Sequence, residues 1–163
     1  FQLWINLPAA HKMSDPAYQD IAPEAIPVQE APGARVRVLA GEHGGVRGPI
    51  DDPLTGLQYL DVELAPAARF LRQGAADADH NVFIYVFEGG ASIAGQPVPR
   101  HHAAVFGPGE HVEVAAGEDG ARFILVSGRP IGEPIVQYGP FVMNTREEIE
   151  QAFADYRDGR LVR

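Results

Sequence analysis

The sequence between residues 35 and 127 is divided into short apolar runs, and this division is the feature that most restricts the fold. Segments that contain glycine or proline separate the runs and predict turns, among them GEHGGVRGP, EGG, FGPGE and AAGEDG. Many short strands joined by close turns predict an all-β sandwich or small barrel. The predicted strands are RVRVLA (35–40), LQYLDVEL (57–64), ARFL (68–71), NVFIYVFE (81–88), ASIA (91–94), AAVF (103–106), HVEV (111–114) and ARFILVS (121–127).

Two of these runs, NVFIYVFE and RFILV, are apolar at both odd and even positions. Because alternate residues of a strand face opposite sides of a sheet, this pattern predicts central strands that are covered on both faces.

Near the C-terminus, in NTREEIEQAFADYRDG, the spacing of apolar residues changes from every second residue to a period of about 3.6 residues. Thr145 and Glu148 have the spacing of a capping box, and Arg157 and Gly159 mark a helix end. We therefore predict one C-terminal α-helix with a single apolar stripe. The stripe consists of Ile149, Ala152, Phe153 and Tyr156.

The N-terminal stretch FQLWINLP alternates like a half-buried strand and has no initiator Met. We expect a segment to precede it, because a strand needs a partner. Four prolines make the following arm unsuitable for a long helix or a central strand. The predicted organisation is a strand and proline-rich arm over residues 1–33, a barrel over 34–130, and a return loop with the helix over 131–163.

Composition excludes several classes of function. The chain of 163 residues is long enough for one domain with a hydrophobic core. A net charge of −9 without a basic cluster argues against direct binding to nucleic acid. The absence of cysteine excludes disulfides, zinc thiolates and a thiol nucleophile. No stretch approaches the ~20 apolar residues of a membrane-spanning helix, and we expect a cytoplasmic location.

The motif search identifies no catalytic residue. The glycine-rich GEHGGVRG (41–48) lacks the Gly-Lys-Ser/Thr ending of a phosphate loop and is interpreted as a strand connection, with His43 in solvent. No Gly-x-Ser-x-Gly elbow occurs. The carboxylate pairs Asp51–Asp52 and Glu147–Glu148 are explained by turn and capping chemistry.

The histidines are the remaining candidates for chemistry. On a strand, His101 and His102 would face opposite sides and could not hold one metal ion together. His111 and Glu113 would face the same side, and two more histidines would complete a mononuclear iron site. The alternative is that GEHVEV is an exposed strand in which polar residues alternate with valines.

The segment GEPIVQYGPFVMNTREEIEQAFADYRDGRL (132–161) resembles the C-terminal end of the pirin family. The stretches FQLWINLPAAHKMSDPAYQDI, VRVLAGEHGGVRGPI, LQYLDVEL, FIYVFEGGASIAG and RFILVSGRPIGEPIVQYGPF follow in the family's order, so the resemblance covers essentially the whole chain. It implies a cupin-type double-stranded β-helix barrel (jelly roll) with one C-terminal α-helix. Pirins are bicupins, and the resemblance places this chain in the C-terminal half.

The family's metal-bearing half holds iron through three histidines and a glutamate, and the resemblance lets each position be compared. Alignment on Tyr85–Gly89 puts Ala75 and Asp77 where two histidines would stand, and Asn81 in place of the glutamate. Two alignments compete for the family's second metal motif, a His-x-Glu pair. One puts the ligand position at Gly120, which offers no ligand. The other keeps His111 and Glu113, with His80 as the nearby candidate to join them. We therefore expect a degenerate cupin without a cofactor, with His80, His111 and Glu113 as residual metal candidates.

Two functions follow from the resemblance. In the first, the chain is the metal-free half of an iron-dependent quercetin (flavonol) 2,3-dioxygenase whose iron lies in a missing N-terminal cupin. In the second, it is a protein-binding or transcriptional co-regulator module without catalytic activity. The expected partner is the N-terminal cupin half or a second copy of the chain, with a flavonol substrate in the first case and a protein partner in the second.

Overall fold

The computed structural model describes residues 1–73 and 79–161. The chain forms two compact units. The larger unit is Ile21–Pro130, and the smaller one combines Phe1–Asp20 with the chain from Ile131 onward. No helix within the described ranges is long and apolar enough to cross a membrane.

The larger unit is built from antiparallel strands. In its main sheet the order is β1-β2-β5-β10-β7-β8, with β6 paired to β10 and β9 paired to β7. Strands β3 and β4 form a separate hairpin. The bounds are β1 (Val28–Ala31), β2 (Ala34–Ala40), β3 (Glu42–His43), β4 (Val46–Arg47), β5 (Gln58–Leu64), β6 (Arg69–Gln73), β7 (Asn81–Ile93), β8 (Gln96–Val98), β9 (Ala103–Val105) and β10 (His111–Gly128).

Alternate residues of these strands form one hydrophobic core. Phe123 is fully buried and meets the ring of Phe70 edge-on, with a centroid separation of 5.7 Å. The period of two therefore sets which face of each strand is inside. Further core residues include Val36, Val38, Leu60, Val62, Ile84, Val86, Val114 and Leu125.

Two long strands replace four predicted short ones. The segments EGG and AAGEDG were expected to be turns, but they lie within β7 and β10. Gly89 and Gly120 have φ of 63° and 78°, and the pairing of β10 with β7 shifts register between Ala116 and Ala121. The glycines therefore bend continuous strands at bulges, and the prediction of turns at these positions is wrong.

Of the two runs predicted to be covered on both faces, the one in β10 is buried on both faces over Phe123–Val126. Phe123 and Leu125 lie in the core, and Ile124 and Val126 on the opposite face are also buried. On β7, the core-facing residues are buried, whereas Phe83, Tyr85 and Phe87 on the other face are half-buried.

The smaller unit contains the predicted helix, α1 (Arg146–Arg157), and an antiparallel pair, β11 (Val136–Tyr138) and β12 (Phe141–Met143). The capping box is present: the Glu148 amide donates to Thr145 Oγ1 at 3.2 Å, and Glu148 Oε2 accepts from the Thr145 amide at 2.9 Å. Phe153 of the helix stripe packs edge-on against Tyr138 and Phe141, at centroid separations of 5.6 and 5.0 Å.

The N-terminal segment differs from the prediction. Phe1–Leu7 contains no strand, because alternation of apolar residues supplies no hydrogen-bonding partner for the backbone. A 3₁₀ turn follows at Ala9–His11, and the Ala9 amide donates to Glu133 Oε2 at 2.8 Å. In the predicted arm over 1–33, β1 is an edge strand of the barrel sheet, and the barrel unit already begins at Ile21.

Candidate functional site

A cavity of about 600 Å³ lies in the larger unit, with walls supplied by β1, β2, β3, β5 and β6. Val36 and Phe70 give it an apolar side. His43, Gln58 and Arg72 give it a polar side. Volumes of this size are typical of small-molecule pockets, which combine an apolar lining with a few convergent polar groups.

Two of the polar groups enter the cavity because of strand periodicity. Gln58 has the parity of Leu60 and Val62 on β5, and Arg72 has the parity of Phe70 on β6. Both side chains therefore point inward, and their residues are 9% and 5% exposed. A charged group is rarely buried to this extent unless its polar atoms have partners.

Hydrogen bonds fix the orientation of both groups. Arg72 Nε donates to Gln58 Oε1 at 2.5 Å, and Arg72 Nη2 donates to Ser127 Oγ at 3.4 Å. Gln58 Nε2 donates to the Glu42 carbonyl oxygen at 2.5 Å. The cavity wall is thus held by contacts that run from β3 through β5 and β6 to β10, which favours a preorganised surface.

His43 is half-buried rather than solvated, which corrects the prediction from the sequence. Its ring stacks on Phe70 with a centroid separation of 5.2 Å and an interplanar angle of 27°. Burial lowers the pKa of His43 from its usual value, and the positive charge of Arg72 lowers that pKa further. The imidazole is therefore neutral at pH 7.

The glycine-rich segment around His43 is a strand connection, as predicted. Glu42 pairs with Arg47 and His43 with Val46 in the β3–β4 hairpin. Gly44 and Gly45 form its two-residue turn with φ of 56° and 77°, the left-handed conformation that such turns require.

His111 and Glu113 lie together on an exposed face of β10. Val112 and Val114, of the opposite parity, are buried in the core. The Glu113 carboxylate accepts a hydrogen bond from Arg69 on the neighbouring strand β6. The exposed-strand alternative for GEHVEV therefore describes this segment.

The described residues do not fit a mononuclear iron site. His80 precedes β7, with its ring against Gly56. Within residues 1–73 and 79–161 there is no group of three His, Asp or Glu side chains arranged to hold a metal ion, so His80, His111 and Glu113 do not form one. Asn81 begins β7 in an exposed position. Ala75 and Asp77 lie outside the described residues.

His101 and His102 lie at a turn, before the predicted strand 103–106. They precede β9, and His101 has φ of 66°. The ring Nδ1 of His102 donates to the carbonyl oxygen of Arg100 at 3.0 Å. Both histidines are exposed and lie outside the cavity lining.

The search of the sequence for functional residues missed the cavity, although a signal for it was present. In RFLRQ, Arg72 repeats the parity of the apolar Phe70, and in QYLDVEL, Gln58 repeats that of three leucine and valine residues. A polar residue at an inward position of a strand marks either a functional group or a buried hydrogen-bond network.

An antiparallel β-barrel with these long bent strands defines the class as a cupin, an all-β fold with one C-terminal helix in this chain. Residues 59–162 match the family of the Pirin C-terminal cupin domain. The chain therefore belongs to the pirin family, as the sequence resemblance predicted.

Similarity to relatives extends over almost the whole chain. It is 43% identical to a pirin-like protein of Caulobacter vibrioides over 98% of this chain and 58% of that protein. It is 41% identical to pirin-like protein 2 of Arabidopsis thaliana over 98% of this chain and 51% of that protein. The chain spans about half to three fifths of the length of such curated relatives.

A solved structure shows the same architecture. The crystal structure of quercetin 2,3-dioxygenase from Acinetobacter baumannii is similar with a TM-score of 0.88 and 30% identity. The match covers 97% of this chain and 55% of that protein.

Proposed function

We propose that this chain is the C-terminal cupin half of a two-cupin protein whose whole form is an iron-dependent quercetin (flavonol) 2,3-dioxygenase. The supporting observation is the similarity to the A. baumannii quercetin 2,3-dioxygenase, which extends over 97% of this chain and only 55% of that protein. The remaining length in the relative leaves room for a second cupin. Fold similarity alone does not assign an activity, so the proposal requires a direct test.

In this proposal the iron belongs to the other, N-terminal cupin, because the described residues of this chain do not fit an iron site. The chain contributes a packed barrel that borders the substrate site and keeps water from it. Phe141 has a packing role against Phe153 of the helix, and Tyr138, which is 68% exposed, is available to line a neighbouring surface.

The test uses the full-length protein that contains this chain, loaded with iron. We expect quercetin to disappear with matching consumption of O2, measured by flavonol absorbance and an oxygen electrode. The variants His111→Ala and Glu113→Ala should retain this activity, because both side chains lie on an exposed strand face. Absence of turnover in fully iron-loaded protein would exclude the dioxygenase proposal.

A second function, a non-catalytic protein-binding module of the co-regulator type, is supported by exposed apolar side chains in the smaller unit. Ile135 is 69% exposed, and Tyr138 and Tyr156 are each 68% exposed. Aromatic residues of this kind are enriched at protein interfaces. The net charge of −9 favours a partner with a basic surface.

The two functions can be separated with the double variant Tyr138→Ser and Tyr156→Ser. For a binding module, this variant weakens partner binding while the iron-loaded wild-type protein shows no turnover. For a dioxygenase half, turnover is present, and loss of the tyrosines affects it only through packing.

A further inference from the structure

We propose that the β3–β4 hairpin (residues 42–47) is a lid on the cavity of the larger unit, which opens about its base while the barrel stays folded and so controls access to the cavity. This inference goes beyond the proposed dioxygenase function, which assigns no role to the hairpin. It rests on the way in which the hairpin is attached to the barrel.

The backbone of the hairpin is attached to the barrel at its base and not along its length. Strands β3 and β4 form a two-stranded sheet of their own. Within residues 1–73 and 79–161, no backbone hydrogen bond joins residues 42–47 to another strand, whereas the Gly41 amide at the base donates to the Ile50 carbonyl oxygen at 3.1 Å. Because a two-stranded hairpin alone is marginally stable in water, the position of this one depends on its side-chain contacts.

Glycines at the two ends of the hairpin allow it to turn about its base. The Gly48 amide donates to the Gly41 carbonyl oxygen at 2.8 Å, and Gly41 has φ of 74°, in the left-handed region. Glycine has no Cβ, so each end can change its backbone dihedrals at little cost. Lids turn about a few residues of this kind at the ends of elements.

Three contacts hold the lid closed over the cavity. The His43 ring stacks on Phe70 with a centroid separation of 5.2 Å, and the Glu42 carbonyl oxygen accepts from Gln58 Nε2 at 2.5 Å. The half-buried Val46 packs against the barrel core. Glu42 and His43 belong to the cavity lining, as do Gln58 and Phe70, so breaking these contacts uncovers the cavity. An element with so few anchoring contacts opens at a lower free energy than the barrel strands.

The test follows the reaction of a single buried thiol, because the chain has no cysteine of its own. Val36→Cys places the thiol in the cavity lining, and Val86→Cys places it in the barrel core outside this lining. The two valines are 1% and 0% exposed, so both thiols need an opening event to react. Each variant is labelled with the disulfide reagent DTNB at several urea concentrations below its unfolding transition, and its global stability is measured by urea unfolding.

We expect the Val36→Cys thiol to react at least about tenfold faster than global unfolding of that variant allows, since opening of the lid needs only local unfolding. Its rate should change little with urea, because the lid exposes little surface when it opens. Val86→Cys should react only through global unfolding, and its rate should rise steeply with urea.

A second substitution tests whether the hairpin is the element that opens. In the Val36→Cys background, His43→Ala removes the stack on Phe70 and should raise the labelling rate about fivefold or more. The matched control is Arg47→Ala, which truncates a side chain of the same hairpin that is 69% exposed, and it should leave the rate unchanged. In the Val86→Cys background, neither substitution should change the rate beyond its effect on global stability.

Two results would overturn the proposal: the same urea dependence for Val36→Cys and Val86→Cys, or labelling in His43→Ala no faster than in Arg47→Ala. If Val36→Cys does not fold, amide hydrogen exchange of the unmodified chain decides the question. The Gly48 amide should then exchange with little dependence on urea, while the amides of β5 should exchange only by global unfolding. An equal urea dependence for Gly48 and β5 would likewise refute the lid.

Discussion

Gly120 shows how one residue determines the path of the longest strand. Its φ of 78° lies in the left-handed region, and a Cβ at this position would come within 2.7 Å of the Leu64 carbonyl oxygen. Any other residue would therefore combine backbone strain with a clash against the backbone of β5. The bend that Gly120 permits lets the two parts of β10 pair with β6 and with β5.

We predict that Gly120→Ala lowers the free energy of unfolding by about 2 kcal/mol or more, because it adds both left-handed strain and a backbone contact. Gly90→Ala is the matched control, since its Cβ would have no atom within 4 Å and its φ is not left-handed. The control should change stability by less than about 0.5 kcal/mol. Equilibrium urea unfolding measures both, and equal losses would contradict the role given to Gly120.

His43 makes stability depend on pH. Its pKa is lowered in the folded state by burial and by Arg72, relative to an unfolded value of about 6.5. Between the folded pKa and about 6.5, the unfolded chain binds more protons than the folded one. The contribution of His43 to stability is therefore complete above about pH 6.5 and is lost as the pH falls through this range.

We predict that His43→Phe removes part of this loss while keeping a ring against Phe70. The stability of the wild type relative to this variant should fall between pH 7.5 and pH 5, as measured by urea unfolding at several pH values. His11→Phe, which removes an exposed histidine of the smaller unit, is the control. A parallel pH profile for wild type and His43→Phe would show that His43 does not carry the effect.

At the scale of elements, an ion cluster on the outer face of the sheet links β2, β5 and β10. Asp61 accepts from Arg37 Nη1 at 3.1 Å, from Arg122 Nε at 3.1 Å and from Arg122 Nη2 at 2.8 Å. The hydrogen bond to Asp61 is the main cause that raises the pKa of Arg122. The Asp61 side chain is only 17% exposed, so solvent screens these contacts less than it screens a surface pair.

We predict that Asp61→Asn costs about 1–3 kcal/mol of unfolding free energy, because two partly buried guanidinium groups lose their anionic partner. Glu30→Gln is the control: it breaks the Arg35–Glu30 pair at the same sheet's edge, where the side chains are 44% and 67% exposed. The control should cost at most about 1 kcal/mol. Chemical denaturation of both variants tests the difference, and a loss for Asp61→Asn no larger than that of the control would contradict it.

Sequence patterns predicted those elements whose signal is local. β5 and α1 follow from alternation and from the capping box of Thr145 and Glu148. The prediction of strand ends was wrong at Gly89 and Gly120, where the glycine forms a bulge within a strand and not a turn between strands. Both conformations use positive φ, so the glycines alone do not distinguish them. The edge strand β1 was missed since two prolines flank it and its pairing with β2 is not a local property.

The cavity was harder to predict because it requires residues from five strands. Parity places Gln58 and Arg72 inside the barrel, but only the sheet order brings them together at β5, β6 and β10. His43 was assigned to solvent because no alternation exists in a two-residue strand. The spacing of His111 and Glu113 put both on one face of a strand, but it did not indicate that this face is the outer one.

At the scale of the whole molecule, the net charge of the chain and the charge of the buried arginine at the cavity wall have opposite signs. The chain carries a net charge of −9, yet one arginine is almost fully buried at the cavity wall. The chain also spans only about half of the length of the relatives that it matches.

The metal content of the chain tests directly whether the chain holds a metal centre of its own. After dialysis, we expect well below one iron, zinc, copper, nickel or manganese ion per polypeptide by elemental analysis. The physical reason is that the described residues hold no three-ligand group, and Glu113 is paired with Arg69 on an outer face. A stoichiometric metal that is lost in His111→Ala but kept in the control His101→Ala would contradict the prediction. Such a result would place a metal centre of this chain on the exposed end of β10.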